Sequence, residues 1–142
     1  MKVVVDTNVL VAGLLSPFGP PCEIVRMIAS GVVSLCLDAR ILTEYADVLS
    51  RAKFQFDPEH VHALLKQIRM DGLSVAGTPL GSRLPDSTDE PFLEIALAGE
   101  AACLITGNIK HFPASKRQGM TVLSPAEFVD LYRKQPRRRK RP

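Results

Sequence analysis

Apolar positions recur along the chain with two different periods. Short runs that are apolar almost throughout and rich in β-branched residues predict strands over 2–5, 32–37, 73–76, 101–106 and 121–123. Between them, apolar residues return every three or four positions, predicting helices over 9–15, 21–30, 39–52, 58–70, 91–99 and 126–133. Asp38, Asp57 and Ser124 stand where N-caps belong, the last two followed by Pro58 and Pro125 in a first helical turn. Gly31, Gly72 and Gly99 stand where helices stop. Strands without a polar face, separated by helices, require a parallel sheet covered on both sides, so the expected class is a three-layer α/β/α domain. Residues 77–88 carry Gly77, Pro79, Gly81 and Pro85 and predict a long connection, a kind that is often functional.

At 142 residues a single domain of this kind builds a core without metal or disulfide staples. Cys22, Cys36 and Cys103 are odd in number and form no CxxC pair, and Cys36 and Cys103 lie in apolar runs. They are expected as reduced core thiols. The longest apolar runs, such as 95–98 and 101–105, fall far short of the roughly 18–20 residues of a membrane span. Asp6 interrupts the N-terminal apolar stretch where a secretion signal would continue, and a cytoplasmic protein is expected. The formal charge of +3 arises from 18 Lys and Arg against 15 Asp and Glu. Seven of those bases lie from Arg133 onward with no acid after Asp130, so residues 1–132 keep 11 bases against 15 acids, a net of −4. An acidic domain over 1–132 thus precedes a basic tail over 133–142. Such like-charged blocks with flanking prolines are expected to be disordered and solvated, and they often contact nucleic acid.

In an open parallel sheet the ligand crevice lies beyond the carboxyl ends of the strands, which directs attention to Asp6, Asp38 and residues 106–108. Asp6 and Asn8 can each simply cap the helix that follows, and Asp38 is expected to cap helix 39–52. Glu44 stands three residues after Ile41 and four before Val48, on the apolar side of its helix, where a solvated Glu does not normally sit. The run 85–91 delivers Asp86, Asp89 and Glu90 ahead of an apolar helix. Asp89, near Pro91, is the expected cap, leaving Asp86 and Glu90 in surplus. Two carboxylates about 4 Å apart repel by roughly 4 kcal/mol at an effective dielectric of 20. If Asp6, Glu44 and Asp89 converge, a divalent cation must offset them or one must hold a proton. Oxygen ligands without Cys or clustered His favour Mg²⁺ or Mn²⁺ over Zn²⁺. His60 and His62 are two apart and face different ways; for His111 a structural or surface role is expected, and for Lys110 a solvated one or a phosphate contact.

Four motifs in order resemble the PIN-domain nucleases: Val3-Val4-Val5-Asp6-Thr7-Asn8-Val9-Leu10, Leu42-Thr43-Glu44, Pro85-Asp86-Ser87-Thr88-Asp89, and Leu104-Ile105-Thr106-Gly107-Asn108. Ser16-Pro17 with Gly19-Pro20-Pro21, residues 108–113, and Leu123-Ser124-Pro125-Ala126-Glu127-Phe128 make the chain similar to the subgroup regarded as toxin components of toxin–antitoxin systems. The resemblance implies a metal-dependent ribonuclease with a five-stranded parallel sheet, an RNA substrate, a protein antitoxin and a homodimeric state. It implies Asp6, Glu44 and Asp89 as metal ligands, Asp86 as a fourth acid, and Thr7, Asn8 and Thr106 as hydrogen-bonding residues around them. Many relatives carry Asp where this chain has Asn108, which removes one negative charge and leaves an amide able to orient a water or ligand. A pocket of acids repels RNA unless bases surround it. Arg51, Lys53, Lys110, Lys116, Arg117 and the tail, Arg137, Arg138 and Arg139 included, are the candidates.

Two other classes compete. A strand ending in Asp with Val-Leu close behind also begins the site of haloacid-dehalogenase-like phosphatases, but those need a second Asp two residues on, where this chain has Asn8. Asn108 also admits a PIN-like module that binds RNA without cleaving it.

Overall fold

Strands β1 (Lys2–Val5), β2 (Ser34–Leu37), β3 (Leu73–Ser74), β4 (Cys103–Ile105) and β5 (Val122–Leu123) pair in the order β3-β2-β1-β4-β5, every pair parallel, in a computed structural model that describes residues 1–135. β1 matches the predicted 2–5, and the other four are shorter than the apolar runs that predict them. Val32, Val33 and Ala101 continue the apolar pattern into connecting turns, and the edge strand β3 is exposed. Helices α1 (Thr7–Leu15), α2 (Pro20–Ala29), α3 (Ala39–Leu49), α4 (Pro58–Asp71), α5 (Glu90–Ala98) and α6 (Pro125–Lys134) complete the three-layer α/β/α domain. Helix α3 is shorter than the predicted 39–52. It stops at Ser50, and a 3₁₀ turn over Ala52–Phe54 follows, ending at Gln55 in the left-handed region.

The chain winds from β1 outward to β2 and β3, then returns across the sheet to β4 and β5. Helix α5 packs against β1, β2 and β4, and α1, α2, α3 and α4 pack on one another. The winding reverses between β1 and β4, and the crevice of a doubly wound sheet opens at that point. Val3, Val4, Val5, Leu104 and Ile105 are fully buried in the centre of the core, with Tyr45, Phe92, Phe112 and Phe128 the largest enclosed side chains. Helices α1 and α2 meet closely at Gly13, where a Cβ would stand 2.5 Å from Val25 and 2.6 Å from the Pro21 carbonyl oxygen. Asp38, Asp57 and Ser124 all cap as predicted, Ser124 within a reciprocal capping box with Glu127.

Cys22, Cys36 and Cys103 are free and buried, and burial pushes the Cys103 thiol up to about 12. No single helix among the described residues is long and apolar enough to cross a membrane. Arg133 and Lys134 lie in the last turn of α6, Arg133 paired with Glu23 of α2 at 2.7 Å and Lys134 with Asp130 at 3.0 Å. Arg137, Arg138 and Arg139 lie outside the described residues.

Candidate metal centre

Parallel pairing of β1 with β4 sets Val5 against Ile105, so the residues that leave the two strands, Asp6 and Thr106, emerge side by side. Both are buried. Asp6 stands at the N-cap of α1 but makes no side-chain cap bond. Its Oδ2 instead accepts the Thr106 hydroxyl at 2.8 Å and the Asn8 amide at 3.3 Å. Asn8 in turn accepts the Gly107 N–H at 2.9 Å, and Thr106 Oγ1 accepts the Asn108 N–H at 3.0 Å. Asn108 therefore supports this network through its backbone. One lattice of short polar side chains ties the β1 and β4 exits together and fixes the carboxylate before any ligand arrives.

Glu44 reaches the same place from α3. The Thr7 hydroxyl donates to Glu44 Oε2, and the neighbouring Tyr45, fully buried, donates its hydroxyl to the Val5 carbonyl. Tyr45 thus pins α3 to the last residue of β1 and holds Glu44 beside Asp6. Asp6 and Glu44 share an open cavity of about 370 Å³ with Thr7 and Asn8, its other wall formed by Val11, Ala12, Leu15, Val48 and Phe54. A slightly larger cavity, about 430 Å³ between the end of α3 and α4, has no carboxylate in its lining.

The third group of acids corrects the expected capping. Asp86 is the cap, accepting Thr88 N–H at 2.9 Å and the Thr88 hydroxyl at 2.7 Å on Oδ1. Asp89 makes no cap bond and is buried. Residues Ser87–Asp89 form a 3₁₀ turn, and because a 3₁₀ turn superimposes positions three apart, Asp86 and Asp89 share one side. Glu90 is occupied structurally, accepting Leu84 N–H at 3.0 Å and Arg83 at 3.1 Å, which fastens the end of the long connection to α5. His111, expected in a structural or surface role, stands at this cluster with Nδ1 2.9 Å from Asp89 Oδ2. It ends a 3₁₀ turn over Ile109–His111 that the fully buried Phe112 anchors. No sequence periodicity could place His111 there, because it follows β4 in a connection whose path is set by tertiary packing.

The acids fall into two groups: Asp6 and Glu44 line one cavity, and Asp86 and Asp89 gather with His111, so the expected convergence of Asp6, Glu44 and Asp89 on one point is not seen, although the charges of the two groups act on each other. Burial pushes the Asp6 carboxyl up to about 6, against the Thr106 hydrogen bond that favours its charge, and the charges of Asp89 and Glu44 push it further. Burial likewise raises Asp89; the nearby His111 opposes that, while Asp86 and Glu44 add to it. The Thr88 hydroxyl and N–H hold Asp86 below the usual carboxylate range. Asp89 Oδ2 is a buried oxygen that no donor reaches in hydrogen-bonding geometry, the short approach of His111 notwithstanding. Asp86, Asp89 and His111 bring one ligand atom each within 4.8 Å of one another. Mutually repelling carboxylates, one with a bare buried oxygen, fit a divalent cation.

Fold and acids together define an α/β domain with a candidate metal centre at the carboxyl edge of its sheet. The model of the family described as PIN domain matches residues 2–110, and the chain belongs to that family, whose members are typically metal-dependent nucleases. A comparison with curated proteins finds no match.

Proposed function

We propose that this PIN domain is a Mg²⁺- or Mn²⁺-dependent endoribonuclease that hydrolyses single-stranded RNA in the cytoplasm, as the toxin of a toxin–antitoxin pair. The observation that carries the reading is the placement of carboxylates from three separate elements at this edge of the sheet: Asp6 after β1 and Glu44 on α3 line one cavity, and Asp89 before α5 holds a buried oxygen without a hydrogen-bond partner. A bound divalent ion supplies activation of the attacking water and stabilisation of the leaving oxygen in phosphodiester hydrolysis. Asp6, Glu44 and Asp89 would hold it, with Asp86 at the margin. The chain's own work is to keep these carboxylates in place, through Thr106 and Asn8 on Asp6 and Thr7 on Glu44.

Single-stranded substrate suits the cavity wall. Phe54 lines it beside Asp6 and Glu44, and Lys53 Nζ lies 5.1 Å from the centre of that ring. The Phe54 ring is itself stacked on Phe56, with centroids 5.3 Å apart, which holds this aromatic wall in place, and the nearby cation attracts the RNA backbone. Lys110, exposed in the turn after Asn108, and Arg137, Arg138 and Arg139 extend the basic surface in this reading. The toxin assignment rests on the motif resemblance, and the exposed Leu15 and Phe18 give an antitoxin or a second copy an apolar surface to cover.

Purified protein incubated with unstructured and structured RNA, with Mn²⁺ and with chelator, tests the activity. Metal-dependent cleavage of the unstructured RNA is expected, lost in Asp6→Asn. Cleavage that survives both chelation and that substitution overturns the reading. Tight RNA binding without turnover in any divalent ion replaces it by the binding module. Growth arrest on expression, relieved by Asp6→Asn, tests the toxin role, and mass in solution tests the homodimer.

A further inference from the structure

His111 is the one strong ligand type at the centre that the acid motifs do not supply. Its Nδ1 is 2.9 Å from an Asp89 oxygen that accepts no hydrogen bond, and the Asp89 side chain is only 9% exposed. A finished histidine–carboxylate pair would align a donor with that oxygen. A cation between the two groups needs the separation but not the alignment. Bonds of about 2.1 Å at a right angle set two ligand atoms about 3 Å apart, close to the distance found. The 4.8 Å limit on all three ligand atoms leaves room for Asp86, whose Oδ1 is engaged by Thr88 and whose other oxygen has no hydrogen bond among the described residues.

We propose that Asp86, Asp89 and His111 form a divalent-cation position with one imidazole and two carboxylate donors, which selects first-row transition ions such as Mn²⁺ over Mg²⁺. The inference rests on the metal-dependent reading above and narrows it to a donor set and an ion class. Mg²⁺ prefers all-oxygen shells and keeps its waters, whereas imidazole suits transition ions, whose affinities rise from Mn²⁺ along the series. A neutral nitrogen donor five residues after Thr106, the polar exit of β4, adds a ligand without adding repulsion.

Manganese alone is the probe, with the full chain and no RNA. Titration of Mn²⁺ followed by electron paramagnetic resonance reads affinity, and pulsed measurements read ¹⁴N coupling from a directly bound imidazole. The expected result is one bound Mn²⁺ with nitrogen coupling that changes to the ¹⁵N pattern on histidine labelling and needs a large Mg²⁺ excess for displacement. His111→Ala should abolish the coupling and weaken Mn²⁺ by at least about tenfold, while leaving Mg²⁺ affinity within about twofold; His60→Ala and His62→Ala should change neither. Because His111 is partly exposed its loss is not expected to unfold the chain, and the wild-type coupling decides the matter even if it does. Bound Mn²⁺ without nitrogen coupling, lost in Asp6→Asn, overturns the His111 position while the wider metal reading stands. Absence of any Mn²⁺ binding overturns both.

Discussion

Asp6 and Asp38 occupy matching places. Each ends an apolar strand, the two strands are neighbours in the sheet, and each residue opens a helix. Their fates differ completely. Asp38 caps α3 through the Ile41 N–H at 3.0 Å and takes Arg40 Nε at 2.8 Å, with Arg40 reaching on to Glu94 of α5 at 2.9 Å. Asp6 caps nothing, is buried, and faces other carboxylates. The cause is position in the sheet. Strand β1 lies at the reversal of winding, so β4 delivers Thr106 beside Asp6 and the crevice opens there. Strand β2 is followed by the short edge strand β3, and the acid at its end meets a guanidinium. The same Asp-after-strand motif therefore serves the fold in one place and opposes it in the other.

The largest way to test the contrast is activity. Asp6→Asn should lower metal-dependent RNA cleavage about a thousandfold, since several kcal/mol of charge stabilisation depend on holding the ion. Asp38→Asn should stay within about twofold in the same assay. Equal losses in both variants would show that the two carboxylates are not functionally distinct.

Stability without metal gives the next effect, with the opposite sign. The Asp6 carboxyl, ordinarily near 3.8, holds its proton to about 6 in the folded chain. Between those values the folded chain binds more protons than the unfolded one, so stability falls as pH rises through the window and remains lower above it. The full difference, roughly two units at about 1.4 kcal/mol each, is about 3 kcal/mol. Urea unfolding in chelator from pH 4 to 7 should show wild type losing stability relative to Asp6→Asn across that window, leaving the variant the more stable protein at neutral pH. A pH-independent difference between the two would remove the claim that Asp6 is held against its preference.

Much of this was legible in the residues. Local signals found the five strands and six helices because β-branched apolar runs and three-to-four spacing answer to the same burial that builds the core. Asp6 and Glu44 were legible because each contradicts its surroundings, an acid at the end of a buried strand and an acid on an apolar helix face. The exchange of roles between Asp86 and Asp89 was not, because Pro91 marks a helical first turn but carries no sign of the 3₁₀ turn that precedes it. The tie made by Tyr45 and the meeting of His111 with Asp89 were not legible, for a shared reason. Their importance lies in contacts across 40 residues to the Val5 carbonyl and between two separate connections at Asp89, and local pattern carries neither.

Thr106→Val probes the tie that distinguishes the two strand ends. Valine keeps the volume and removes the hydroxyl that donates to Asp6 and accepts from Asn108 N–H. Leaving both partners without it should cost about 1–3 kcal/mol and weaken Mn²⁺ binding about 10–100-fold, as loss of a supporting residue around a metal does. Calorimetric titration and thermal melting read the two effects separately; a variant that melts lower but binds Mn²⁺ as wild type would reduce Thr106 to a structural role.

The smallest effect belongs to Asp38, and its size discriminates. As a cap it satisfies one otherwise unpaired N–H of α3, so Asp38→Ala should destabilise by about 1 kcal/mol, while Asp38→Asn, which caps as well, should change stability by only a few tenths. The exposed Arg40 contact adds little to that. A loss in Asp38→Asn as large as in Asp38→Ala would mean that charge, through Arg40 and Glu94, holds this corner of the sheet. Asp38 would then resemble Asp6 in depending on its ionisation.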